Sequence, residues 1–122
     1  MEIIDTSAAP APGGAYAQGR RVGDFVFTSG QVGVDPVTGS APPDFEDEVR
    51  QALANLEQVL RAGGSAPDRV VRTMCLLTEI STFPVFNRIY AEFFGDHQPA
   101  RSTFGVELAG GFRFEIEATA IV

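Results

Sequence analysis

A chain of 122 residues that is 44% hydrophobic and 20% charged has the composition of a globular protein and is long enough for a single domain, 1–122, with its own core. All nine basic residues are arginine, which excludes Schiff-base chemistry on a lysine, and a net charge of −7 argues against a nucleic-acid reader, which would carry a basic face. One cysteine, Cys75, and one histidine, His97, supply neither a disulfide framework nor a His/Cys zinc site, so we expect a cytoplasmic protein without metal or other cofactor.

The opening MEIIDTSAAP lacks a basic region, and no run approaches ~18 apolar residues, so neither a secretion signal nor a membrane span is expected. Ala8–Gly14 is rich in proline and glycine and reads as an irregular arm. Asp24–Ser29 predicts a short strand with Phe25 and Phe27 on one face, ended by Gly30, and Asp35-Pro36 and Thr38-Gly39 signal turns beyond it. Phe45, Val49, Ala52, Leu53, Leu56, Val59 and Leu60 then form one helical stripe. Asp44 serves as its N-cap, Glu46, Asp47 and Glu48 suit its positive start, and Gly63-Gly64 closes it.

Val70–Leu77 alternates as a strand in which Cys75, in phase with Thr73 and Leu77, reads as a small buried hydrophobe and not a nucleophile. Ser81 or Thr82 caps a second helix with Pro84 in its first turn and Phe86, Ile89, Tyr90, Phe93 and Phe94 on its apolar side. His97 follows in a polar loop and reads as a solvated surface side chain.

The last segment predicts a β-hairpin turning around Gly110. Pairing Leu108 with Phe112 also pairs Val106 with Phe114 and Phe104 with Ile116, whereas a slip by one residue would set Phe104 against Glu117. The opposite face of this hairpin would carry Arg101, Thr103, Gly105, Glu107, Arg113, Glu115, Glu117 and Thr119, with Gly105 opposite Glu115. That face reads either as a solvated surface with a Glu107–Arg113 cross-strand pair or as a subunit contact that lines a cleft. The element order implies an α+β sandwich, two helices covering one face of a mixed sheet.

Five stretches, GAYAQG (Gly14–Gly19), FVFTSGQVGVDPVTG (Phe25–Gly39), NRIYAEFF (Asn87–Phe94), PARST (Pro99–Thr103) and FEIEATAIV (Phe114–Val122), resemble the Rid family of enamine/imine deaminases over nearly the whole chain. The resemblance implies a chorismate-mutase-like α+β fold and a homotrimer with active sites between subunits. It also implies hydrolysis of small 2-imino acids to 2-oxo acids and ammonia. On the matching positions, Arg101 would bind the substrate carboxylate, and Glu115 rather than Glu117 would hold and activate the water. Ser29, Gly30 and Thr103 would bind substrate, Gly30 and Thr103 through their backbones, and Tyr16 and Asn87 would line the cleft. The chain departs from the family pattern at Thr103, where cysteine is usual, at Ala17, where serine is usual, and in a shorter Gly95–Gln98 loop. Two other functions fit the same residues: a non-catalytic trimer that binds small carboxylates through Arg101, and a ribonuclease-like relative, against which the acidic balance counts.

Overall fold

A computed structural model describes all of residues 1–122. Strands β1 (Glu2–Ile4), β2 (Gly19–Val22), β3 (Phe25–Thr28) and β4 (Gln31–Val32) precede helix α1 (Phe45–Ala62). Strand β5 (Val70–Leu77), helix α2 (Phe83–Phe94) and strands β6 (Ala100–Gly105) and β7 (Phe114–Ile121) complete the chain. The strands form one mixed sheet in the order β1-β2-β3-β7-β5-β6, with β4 also on β7. Both helices lie on one face, giving the expected α+β sandwich. Neither helix is long and apolar enough to cross a membrane.

Helix α1 follows its stripe: Val49, Ala52, Leu53, Leu56, Val59 and Leu60 are all buried. The Asp44 carboxylate accepts from the Asp47 backbone N–H, which satisfies an otherwise orphaned donor, and the N–H of Gly63 closes the last turn on Val59 and Leu60. Helix α2 buries Phe86, Ile89, Tyr90 and Phe94 against the sheet. Its cap differs from expectation. Thr82 ends a short 3-10 turn, and its hydroxyl donates to the Glu79 carbonyl at 2.6 Å and makes no cap bond to α2. Pro84 in the first turn removes one donor that would have needed a cap.

Three strands, β1, β2 and the two-residue β4, escape the sequence reading. β1 and β2 extend the sheet beyond β3, and their short, half-polar sequences carry little periodic signal. Phe25 and Phe27 do share a face, but it is the face without helices, where they are 48% and 44% exposed; Val26 and Thr28 point inward.

The expected hairpin does not form. β6 runs parallel to β5, pairing Thr73 with Arg101, Cys75 with Thr103 and Leu77 with Gly105, while β7 inserts antiparallel between β3 and β5. The fully buried phase of β5, Thr73-Cys75-Leu77, is thereby flanked on both sides, and the crossover through α2 makes β6 parallel. Ala118, Ile116 and Phe114 lie opposite that phase and are buried, so Glu115 and Glu117 take the open face. Arg101 and Thr103, in register with Thr73 and Cys75, take the helix-covered face. The predicted common face of Arg101, Thr103, Glu115 and Glu117 is therefore split between the two sides of the sheet. Gly105 lies beside Leu77, not Glu115, and Arg113 pairs with Glu48, not Glu107.

Cys75 is fully buried, and burial pushes its thiol up to about 12, which keeps it protonated and inert. His97 is exposed, yet one ring nitrogen lies 2.6 Å from the Val70 carbonyl; as the N–H tautomer it donates there and ties the loop after α2 to the head of β5.

Candidate active site

Arg101 sits near the start of the edge strand β6, just after Pro99, under α2. Its Nη1 donates to Oδ1 of Asn87 at 2.8 Å. The guanidinium carbon lies 4.7 Å from the Tyr90 ring centre, 5.4 Å from Phe86 and 5.5 Å from Phe83. Cation–π attraction and one neutral amide thus hold the cation without neutralising it. Every ion pair in the chain uses a different arginine: Arg50, Arg61, Arg88 or Arg113. Arg101 is half-buried and opens on a cavity of about 410 Å³ that Asn87, Tyr90, Phe94 and Pro99 also line. An oriented, half-desolvated guanidinium with no carboxylate of its own can receive an external one. Two residues on, Thr103 shares the strand face, and its hydroxyl is shielded from solvent without a hydrogen-bond partner.

Glu115 occupies the other side of the sheet. It pairs across β4 with Val32 and across β5 with Leu76. The sheet edge is interrupted between β3 and β4 at Ser29-Gly30, and Thr28 bridges the gap by accepting from the Ala118 N–H at 3.0 Å. The Glu115 carboxylate lies against Gly30: a Cβ there would stand 2.7 Å from the carboxylate carbon, so only glycine admits this approach. Burial pushes the Glu115 carboxyl above the ordinary glutamate range, and the neighbouring Glu117 charge adds to the push. A glutamate poised in this way can both take and return a proton.

Since Glu117 acts by like-charge repulsion, Glu117→Gln should lower the Glu115 pKa while leaving it above the ordinary value. A carbon-13 titration of the Glu115 carboxyl measures the change.

The arm brings the remaining positions to Gly30. Gln18 is buried and fixes the arm through four hydrogen bonds, to Thr6 (both N–H and carbonyl), Ala9 and Pro10. Ser29 donates to the Ala17 carbonyl at 2.6 Å, so its hydroxyl holds the Tyr16 loop in place. Tyr16 is exposed and, with Gly30, Pro12 and Phe112, lines a second cavity of about 220 Å³. No three His, Cys, Asp or Glu side chains converge as metal ligands.

The expected residues therefore gather in two half-sites. Asn87, Arg101 and Thr103 form one, and Tyr16, Ser29, Gly30 and Glu115 the other. Two strand spacings and three residues along β5 separate Arg101 from Glu115, about 14 Å between Cα atoms, with the side chains on opposite faces. Within one chain they cannot grip one small molecule.

Sequence reasoning missed the aromatic cradle under Arg101, having read Phe86 and Tyr90 as core alone. It also missed Glu48 and Asn55, both buried on α1. The signal was present: each is a polar residue inside the angular range of the apolar stripe.

The family model described as endoribonuclease L-PSP matches residues 6–122. The rat 2-iminobutanoate/2-iminopropanoate deaminase is 42% identical over 122 residues, covering 98% of this chain and 89% of the relative. The crystal structure of Escherichia coli TdcF with bound serine superimposes with a TM-score of 0.96 at 36% identity, covering 100% of this chain and 98% of that one. RidA from an Antarctic Psychrobacter species does so with a TM-score of 0.97 at 32% identity over the full length of both chains.

Proposed function

Since this chain belongs to the endoribonuclease L-PSP family, the Rid family that its motifs resemble, we propose that it is an enamine/imine deaminase. It hydrolyses 2-imino acids, such as 2-iminobutanoate and 2-iminopropanoate, to 2-oxo acids and ammonia. The observation that carries this reading is the pairing of chemistries: an arginine with no carboxylate partner and a glutamate of raised pKa lodged on a side-chain-free backbone. The split between half-sites extends the reading to a homotrimer, in which the Arg101 half-site of one subunit faces the Glu115 half-site of the next.

The substrate carboxylate is bound by the planar fork of Arg101, with the Thr103 backbone alongside. Water held by Glu115 adds to the carbon of the protonated C=N group and gives one proton to Glu115, which forms the neutral carbinolamine. Glu115 passes that proton to the nitrogen, then takes the hydroxyl proton as the carbon–nitrogen bond breaks, the carbonyl forms and ammonia leaves; ammonia carries the last proton away as ammonium and Glu115 is again ionised. The Gly30 backbone, against which the Glu115 carboxylate is lodged, holds the imine nitrogen in this reading. RNA cleavage, suggested by the family's description, would require a basic face that a net charge of −7 does not favour.

The direct test couples an amino-acid oxidase to semicarbazide trapping. The protein should suppress semicarbazone formation and release ammonia, while RNA offered in parallel stays intact. Unchanged semicarbazone at micromolar protein overturns the reading.

The assembly is tested separately. On the open face of the sheet Phe25, Phe27, Phe104 and Ile121 are each exposed, apolar side chains of the kind that subunit contacts cover. Light scattering at micromolar concentration should give about three times the chain mass of 13.0 kDa. A fully active monomer would contradict the shared cleft.

A further inference from the structure

Glu48 is the one charged side chain among the buried residues. A carboxylate removed from water costs several kcal/mol unless it is paired and hydrogen-bonded. Here it is: one oxygen accepts from the Arg113 backbone N–H at 2.7 Å, and the other from Arg113 Nε at 2.7 Å. Well-packed apolar residues often stabilise such a position as well as an ion pair does, so stability alone does not account for a carboxylate. Its surroundings suggest another reason.

Arg113 is two residues before Glu115, and its carbonyl is held in turn by the Thr78 N–H at 3.1 Å. The peptide entering β7 is thus clamped between α1 and the end of β5. On the other side of Glu48 stands Gly33, where a Cβ would come within 2.7 Å of Glu48 Cγ and 2.9 Å of its carbonyl carbon. Two helical turns on, the Asn55 amide donates to the Val32 carbonyl at 2.9 Å and the Val34 carbonyl at 2.8 Å. Val32 is the β4 residue paired with Glu115. The α1 surface therefore grips both strands of the Gly30–Glu115 contact, β7 through Glu48 and β4 through Asn55 and the close approach at Gly33.

We propose that Glu48 is a positioning residue for the water-activating carboxylate, anchoring the start of β7 so that Glu115 stays lodged against Gly30. The proposal rests on Glu115 being the general base. Glu48 touches neither substrate nor water and acts only through Arg113 and β7. It makes no hydrogen bond or ion pair to Arg101, whose strand β6 lies on the far side of β5 from β7.

The experiment compares Glu48→Gln and Glu48→Met, each alone and combined with Glu115→Gln. Glutamine keeps an acceptor for the Arg113 N–H but loses the charged pair; methionine loses both. Glu48→Gln should lower kcat a few-fold and Glu48→Met on the order of 10²-fold, the scale of an ångström-sized misplacement. Inhibition by the product 2-oxo acid, which reports binding at Arg101, should be unchanged. In the Glu115→Gln background neither change should lower kcat further. Equal losses in both backgrounds, or an unchanged kcat in a folded variant, overturn the proposal. If the methionine variant fails to fold, the glutamine variant carries the same comparison. If the wild-type protein hydrolyses no imine, the deaminase reading falls, and carbon-13 titration of the Glu115 carboxyl decides the proposal. A pKa moving toward ordinary glutamate in Glu48→Gln supports it, and an unmoved one overturns it.

Discussion

Arg101→Ala should lower kcat/KM for 2-imino acids by about 30- to several-thousand-fold, the equivalent of roughly 2–5 kcal/mol for losing a charge-assisted pair in a partly desolvated cleft. The magnitude follows from preorganisation. Asn87 and the rings of Tyr90, Phe86 and Phe83 already hold the guanidinium, so little rotamer freedom remains to be lost when a carboxylate binds. Arg101→Lys should recover little: an ammonium keeps the charge but loses the bidentate fork and the planar contact with the rings. Because Arg101 makes no ion pair in the free protein, neither substitution removes one from the fold. Assays on imines from two amino acids, with assembly mass checked for each variant, measure the effect. Wild-type rates in both variants would make Arg101 a surface charge.

Glu115→Gln should lower turnover by ~10²-fold or more, the scale of losing a general acid/base, whereas Glu117→Gln should have a small effect. Sequence spacing alone leaves the two nearly interchangeable, since residues two apart in a strand point the same way. The tertiary contacts separate them. Glu115 is half-buried against Gly30, and Glu117 is exposed at the gap between the β4 and β3 pairings of β7. The pH profile adds a second measurement. The base must be ionised to accept a proton from water, and burial together with Glu117 raises its pKa. Activity should therefore fall with acidification at a pH above the ordinary glutamate range, and Glu117→Gln should move that limb toward lower pH. Equal losses in the two glutamine variants would assign the water to the wrong carboxylate.

Much of this protein is determined by local pattern. Helix α1, its Asp44 cap and its glycine exit, strand β5 and the apolar side of α2 all follow from periodicity and end signals, because each depends on neighbours within a few residues. Motifs single out Arg101, Glu115 and Gly30 as site candidates, and membership of the family bears out the resemblance. Which strands meet was not legible. Phe104, Val106 and Leu108 match Phe114 and Ile116 in a hairpin register as well as any neighbours could, yet β6 joins β5 and β7 joins β3 and β5. Pairing is settled by what must cover the buried Thr73-Cys75-Leu77 phase and by the direction imposed by the α2 crossover, both long-range requirements. The same requirements place Arg101 and Glu115 on opposite faces of one sheet, although their alternation in sequence suggests a shared one. Side-chain alternation fixes a residue's face only relative to its own strand; the sheet order decides which face that is.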